Sequence, residues 1–173
     1  SYDDILKMAQ NKEKFLASVP AIMPVSAKDL KGIPSGYGYR VHPIYKIVKM
    51  HTGMDFTAAT GTPIYATGDG VIERADAEEA GYGNHVVINH GFGFETLYGH
   101  MSKILVTEGQ QVHRGEIIGL VGNSGVSSGP HCHYEVIKAS EKINPVNYYF
   151  LDLSPAEFKA IIDQASQSKQ SFD

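Results

Sequence analysis

The chain has 173 residues, 42% apolar and 20% charged, with a net charge of -4 and a pI near 6.0. That balance fits one soluble globular domain with appendages and offers no basic footprint for nucleic acid. A single cysteine excludes an internal disulfide, and no run is long and apolar enough to span a bilayer.

In chain order, residues 2–17 carry Ile5, Leu6, Phe15 and Leu16 among charges, which predicts a short helix lying outside the core. The chain opens at Ser1 with no signal peptide in view, as a processed or truncated piece would. Residues 18–34 hold Pro20, Pro24 and Pro34 and read as an extended lead-in, so 1–30 is taken as an N-terminal appendage. From about residue 36 to 143 the pattern is strands and turns. The words Gly61-Thr62-Pro63, Gly68-Asp69-Gly70, Gly81-Tyr82-Gly83, Gly91-Phe92-Gly93 and Gly122-Asn123-Ser124-Gly125 mark turns. Between them lie predicted strands at 63–67, 71–75, 85–90, 94–100, 117–121 and 131–138, with a hairpin across Gly91-Phe92-Gly93. Ser154-Pro155-Ala156-Glu157 then predicts the start of a C-terminal helix, with Ser as N-cap, Pro at the first helical position and a staple from Leu153 to Phe158. The core domain is expected at 31–150 and a helix with a polar tail at 151–173.

The stretch Gly129-Pro130-His131-Cys132-His133-Tyr134-Glu135 carries the most chemistry. Side chains of a strand alternate, so His131, His133 and Glu135 share one face and Cys132 takes the other. Upstream, His51-Thr52-Gly53-Met54-Asp55 sets a His and an Asp four apart. Gly53 and the neighbouring threonines disfavour a helix, and in an extended segment the two can still converge. Two imidazoles and a carboxylate are donors zinc prefers, and three protein ligands leave a position for water, the pattern of a catalytic site. Each motif alone is a weak signal; their setting adds the rest.

The chain resembles the lysostaphin-type (LytM-domain) zinc endopeptidases that cut peptidoglycan. The matching words are Gly38-Tyr39-Arg40-Val41-His42-Pro43-Ile44, the His51 to Asp55 motif with Phe56, Ala66-Thr67-Gly68-Asp69-Gly70-Val71, Gly81-Tyr82-Gly83-Asn84, Leu97-Tyr98-Gly99-His100-Met101, Gly119-Leu120-Val121-Gly122-Asn123-Ser124-Gly125, and Ser128 through Glu135. The match covers about residues 36–150. Cys132 stands where the family usually has Leu, and Ser124 where Thr is common. The resemblance implies an antiparallel β-sheet groove, β-roll-like, with peripheral N- and C-terminal helices. It implies one zinc ion per chain on His51, Asp55 and His133, with His100 and His131 as catalytic histidines. It further implies a peptidoglycan peptide as substrate, hydrolysed by a metal-activated water, in the periplasm or cell envelope.

The remaining readings are weaker. Alternation along 96–100 puts Tyr98 on the face of His100, where it would flank the site. Tyr45 is close enough in sequence to His51 to reach an oxyanion. Glu135 either orients His133 or is a solvated strand charge. His42, His85, His90 and His113 are read as structural or surface histidines, and Cys132 as a small buried apolar residue. Two rivals remain: a catalytically silent LytM-type module that binds wall or activates another hydrolase, its cleft covered by residues 1–30, and a carrier domain with Lys49 as its modified lysine. Turn words around Gly109 and Gly115 echo the latter, but Lys49 lies far ahead of them.

Overall fold

A computed structural model describes residues 1–34, 36–41, 44–46, 48–78, 81–148, 156 and 159. The chain enters as helix α1 (Tyr2–Ser18). Ser1 caps it: its hydroxyl accepts the Asp4 amide and donates to the Asp4 carboxylate. Asp3 and Asp4 also complement the positive end of the helix dipole. The helix stops where Val19 turns extended ahead of Pro20, because a residue before proline avoids the helical region. Its side chains are almost all exposed, as expected of a helix outside the core. Only the last turn docks. Phe15 meets the edge of Phe92 at 5.2 Å, and the Arg114 guanidinium donates to the carbonyls of Leu16 (2.6 Å) and Val19 (2.7 Å).

The lead-in does more than the prolines suggest. Ala21, Met23 and Val25 are buried, and Met23 and Val25 belong to the main apolar cluster. Its backbone pairs with the sheet through Ala21 N–H to Thr67 O and Tyr65 N–H to Pro24 O.

Two antiparallel sheets follow. The smaller is β1 (Gly38–Val41) with β2 (Val48–His51). The larger has nine strands: β3 (Met54–Thr57), β4 (Pro63–Tyr65), β5 (Gly70–Asp76), β6 (Asn84–Gly91), β7 (Phe94–Ile104), β8 (Gln111–Val112), β9 (Ile117–Val121), β10 (His131–Lys138) and β11 (Glu141–Ile143). The main path runs β11-β10-β7-β6-β5-β8; β3 adds to β10, and β9 bridges β7 and β4. β10 therefore sits among β7, β3 and β11. All six strands anticipated in sequence are present, and β6 and β7 form the hairpin across Gly91-Phe92-Gly93. The C-terminal helix expected from Ser154 lies, with its Leu153–Phe158 staple, outside the described residues apart from Ala156 and Lys159, both helical.

One face of β10 feeds the core. Cys132, Tyr134 and Val136 pack with Phe56, Ile88, Tyr98 and Met101, all buried. A buried polar chain threads this side: Thr67 Oγ1 lies 2.9 Å from Tyr98 Oη and 2.8 Å from Tyr134 Oη, and Thr96 Oγ1 lies 2.8 Å from Tyr98 Oη. It ends at His90, whose Nε2 is 2.7 Å from Thr96 Oγ1 and whose Nδ1 donates to Asp69 O. Burial pushes the His90 imidazole down to about 4, so it stands neutral there.

Candidate metal centre

The opposite face of β10 carries His131, His133 and Glu135, as alternation requires, and all three are buried. Asp55 stands directly across from His133 in the β3–β10 register. His51 reaches the same place differently from the single extended segment expected. It closes β2, which pairs with β1, and the chain then turns through Thr52 and Gly53 into β3. Gly53 is required at that turn: a Cβ there would lie 2.2 Å from Tyr134 O and 2.9 Å from Glu135 Cγ.

The side chains converge. Asp55 Oδ1 is 3.1 Å from His51 Nε2, 3.0 Å from His133 Nδ1 and 3.5 Å from His131 Nε2. Ring tautomers follow from the outer partners. His51 Nδ1 lies 2.8 Å from Gly36 O, a pure acceptor, so Nδ1 carries the proton and Nε2 faces Asp55 as a lone pair. His133 Nε2 lies 3.0 Å from Glu135 Oε1, so Nε2 is the donor and Nδ1 turns its lone pair to Asp55. Two imidazole lone pairs and a carboxylate oxygen at this range repel one another unless a proton or cation lies among them. His51, Asp55 and His133 offer ligand atoms all within 4.8 Å of one another. Nitrogen and oxygen donors, three in number and held by further hydrogen bonds, fit zinc with an open coordination position. Cys132 is buried on the other face of β10, so no thiolate joins the set.

His131 and His100 stand beside this group. His131 Nδ1 is 2.8 Å from Gly129 O, and Ser127 Oγ lies 3.2 Å from the same nitrogen. His100 Nδ1 is 2.6 Å from Ser124 O. The two rings lie 4.7 Å apart, and His100 is 6.1 Å from the His133 ring. Both imidazoles thus give their Nδ1–H to a backbone carbonyl and keep Nε2 as the basic nitrogen.

His100 arrives by a backbone irregularity that alternation cannot anticipate. Between β6 and β7, Val86 faces Tyr98 and Asn84 faces Met101, so β7 has one more residue than its partner across this span. His100 takes up the excess with φ 58°, and its N–H donates to Tyr82 O. Tyr98 and His100 consequently do not share a face. Tyr98 is buried in the core against Thr67, Thr96 and Tyr134, which corrects the expectation that it flanks the site. Tyr45 lies exposed in the turn between β1 and β2.

Glu135 is no solvated strand charge. It is fully buried, with Oε1 accepting from His133 Nε2 and from Thr52 Oγ1 at 3.0 Å, and from the Tyr82 hydroxyl. Lys142 Nζ sits 3.3 Å from Oε2. Burial raises the Glu135 carboxyl, but hydrogen bonds from His133 and Tyr82 and the nearby Lys142 charge outweigh it and hold the group at about 2. Burial, then the Glu135 carboxylate, pushes the Tyr82 phenol up. Tyr82, Thr52 and Lys142 were not anticipated; the word Gly81-Tyr82-Gly83 reads as a turn and a family word, with no role for the Tyr82 side chain until β10 is seen beside it. Of the other histidines, His85 bonds Gly83 O, His90 ends the core chain and His113 is exposed 3.6 Å from Asp69, while His42 lies outside the described residues.

Comparison with known proteins places this geometry. The chain is 49% identical over 105 residues to the peptidoglycan DD-endopeptidase ShyA of Vibrio cholerae, covering 61% of this chain and 24% of that protein. It spans about a quarter of the length of the curated relatives it matches. A zinc containing peptidase from Vibrio cholerae superposes with a TM-score of 0.64 at 38% identity, covering 70% of this chain and 37% of that one. The catalytic domain of lysostaphin from Staphylococcus simulans superposes with a TM-score of 0.58 at 34% identity, covering 66% of this chain and 90% of that one. A family match runs over residues 49–145, more than half of the chain, and takes in His51, Asp55, His100, His131 and His133; on that span the protein belongs to Peptidase family M23.

Proposed function

We propose that this chain is a zinc-dependent endopeptidase that hydrolyses peptide cross-links or stems of peptidoglycan outside the cytoplasmic membrane. One observation carries the reading: His51 Nε2 and His133 Nδ1 both lie within hydrogen-bond range of Asp55 Oδ1, the three residues offer ligand atoms within 4.8 Å of one another, and two more imidazoles stand beside them. The names of the relatives support the substrate class and the metal. Among the described residues no helix is long and apolar enough to cross a membrane.

When bound, zinc supplies Lewis-acid chemistry: it polarises a carbonyl and lets water act as a nucleophile at neutral pH. His51, Asp55 and His133 would hold it through Nε2, the carboxylate and Nδ1, and the carboxylate would offset part of its charge. His100 and His131 move protons. As neutral imidazoles with Nδ1–H engaged, they accept the proton of the attacking water at Nε2. Once protonated, they donate to the oxyanion and return the proton to the leaving amine. The rings lie 4.7 Å apart, so either can be the base that takes this proton and then, as the imidazolium, gives it up.

The test is metal content of the purified chain followed by incubation with purified peptidoglycan sacculi. The expected result is about one zinc per chain and new amines on the released muropeptides, whose masses identify the bond cut. Zinc without hydrolysis would instead favour a silent wall-binding module, and absence of metal binding would remove the proposal.

A further inference from the structure

The residues around the centre include one that touches both halves of it. Tyr82 lies in the turn Gly81-Tyr82-Gly83, both of whose glycines have positive φ (61° and 64°). Its ring stacks on the His133 imidazole, with centroids 5.6 Å apart and planes 28° from parallel. Gly99 of β7, opposite His133, packs beside both rings: a Cβ on it would make ordinary contacts, 3.5 Å from Tyr82 Cδ1 and 3.6 Å from His133 Cβ. The Tyr82 hydroxyl donates to Glu135 Oε1, the oxygen that also receives the His133 Nε2 proton. Lys142 Nζ, 3.1 Å from the Tyr82 oxygen, donates into the same cluster and lies over the Tyr82 ring. The Tyr82 carbonyl accepts the His100 N–H at 2.6 Å, at the irregular residue of β7.

We infer that Tyr82 is a positioning residue of the metal centre: through Glu135 and by stacking it fixes the ring plane and tautomer of His133, and through its carbonyl it fixes the backbone of His100. The physical reason is the directionality of an imidazole. His133 offers a lone pair at Nδ1 only while Nε2 keeps its proton, and Glu135 is the acceptor that keeps it there. A carboxylate has several acceptor directions and can swing. Tyr82, Thr52 and Lys142 hold Glu135 from separate elements, so one oxygen stays aimed at Nε2. The inference rests on the metal-centre reading above and adds to it the residues that set the direction of a ligand.

The experiment uses the full chain with zinc as the probe. Zinc affinity is measured by competition with a chromophoric chelator for wild type, Glu135→Gln, Tyr82→Phe and the double variant, alongside turnover on sacculi and the melting temperature of the zinc-free protein. Glu135→Gln should weaken zinc binding about tenfold or more, the usual loss when a partner of a ligating histidine is changed. Tyr82→Phe, which keeps ring and carbonyl, should weaken it severalfold. The double variant should match Glu135→Gln alone, because the hydroxyl acts through the carboxylate. A purely structural role would lower the zinc-free melting temperature and leave zinc affinity unmoved. Wild-type affinity in Glu135→Gln, or losses that multiply in the double variant, would overturn the inference while leaving the metal centre standing. If Glu135→Gln does not fold, Tyr82→Phe decides: undiminished zinc affinity there overturns it. A wild-type chain that binds no zinc would end the metal-centre reading and this inference together.

Discussion

His100 and His131 stand ring against ring at 4.7 Å and a 45° tilt, yet they reach that position by different backbone means. His131 needs only the regular alternation of β10. His100 needs the extra residue of β7 and a left-handed φ of 58°. The pairing predicts a division between binding and turnover. His100→Ala and His131→Ala should each retain most zinc while kcat falls by about 10²–10⁴, the usual contribution of a general acid or base. Normal hydrolysis by His131→Ala would remove it from proton transfer.

Replacing a member of the convergent group has a different signature. His51→Ala and Asp55→Ala should lose zinc and hydrolysis together, because each removes one of three donors around a shared point. Metal analysis after dialysis separates this outcome from that of the previous pair. Retention of stoichiometric zinc by Asp55→Ala would contradict it.

Gly53→Ala tests the turn that brings His51 and Asp55 together. The added methyl meets Tyr134 O at 2.2 Å, so β3 and β10 must separate. The expected cost is roughly 1–3 kcal/mol, or a fall of several degrees in melting temperature, with zinc affinity lowered as well. A thermal melt unchanged from wild type would show that the turn relaxes without strain.

His90 gives a pH prediction. Its folded value of about 4 lies below the ordinary 6.5, so between those values the unfolded chain binds a proton that the folded chain does not. The stabilisation is present in full above pH 6.5 and is lost as pH falls toward 4, amounting to roughly 3 kcal/mol. Denaturant melts of wild type should weaken over that window, and those of His90→Gln should weaken less. Equal slopes for the two would sink the assignment.

Arg114→Ala should loosen α1. The guanidinium donates to the carbonyls of Leu16, Val19 and Thr67, and its loss leaves the end of the helix held by Phe15 on Phe92 and by the Asp69 N–H bond to Ala17 O. Amide hydrogen exchange should quicken across α1 and stay unchanged in β10. Faster exchange in β10 as well would show that the helix and the sheet open as one unit.

The chain betrays those parts of its structure that obey a short period. The strands over 117–121 and 131–138 are visible because apolar residues alternate between turn words, and the shared face of His131 and His133 follows from that alternation. What breaks the period is hidden. The extra residue at His100 reverses the face of one side chain, so alternation misplaces Tyr98. The split of the His51–Asp55 motif between β2 and β3 is invisible because β2 pairs with neighbouring β1 while β3 pairs with β10, far away in sequence. Tyr82, Thr52 and Lys142 are hidden for the same reason: three separate segments meet Glu135 only after β10 and β11 are paired. Met23 and Val25 sit in a proline-rich stretch whose composition imitates a linker.

That stretch sets a limit on trimming. A shortened version beginning after Val25 would keep every residue of the candidate metal centre and still leave a raw, water-averse floor where Met23 and Val25 had been. Such a fragment would tend to clump with its own kind before any loss of chemistry could be assayed. A minimal version of this domain should therefore begin no later than Val19.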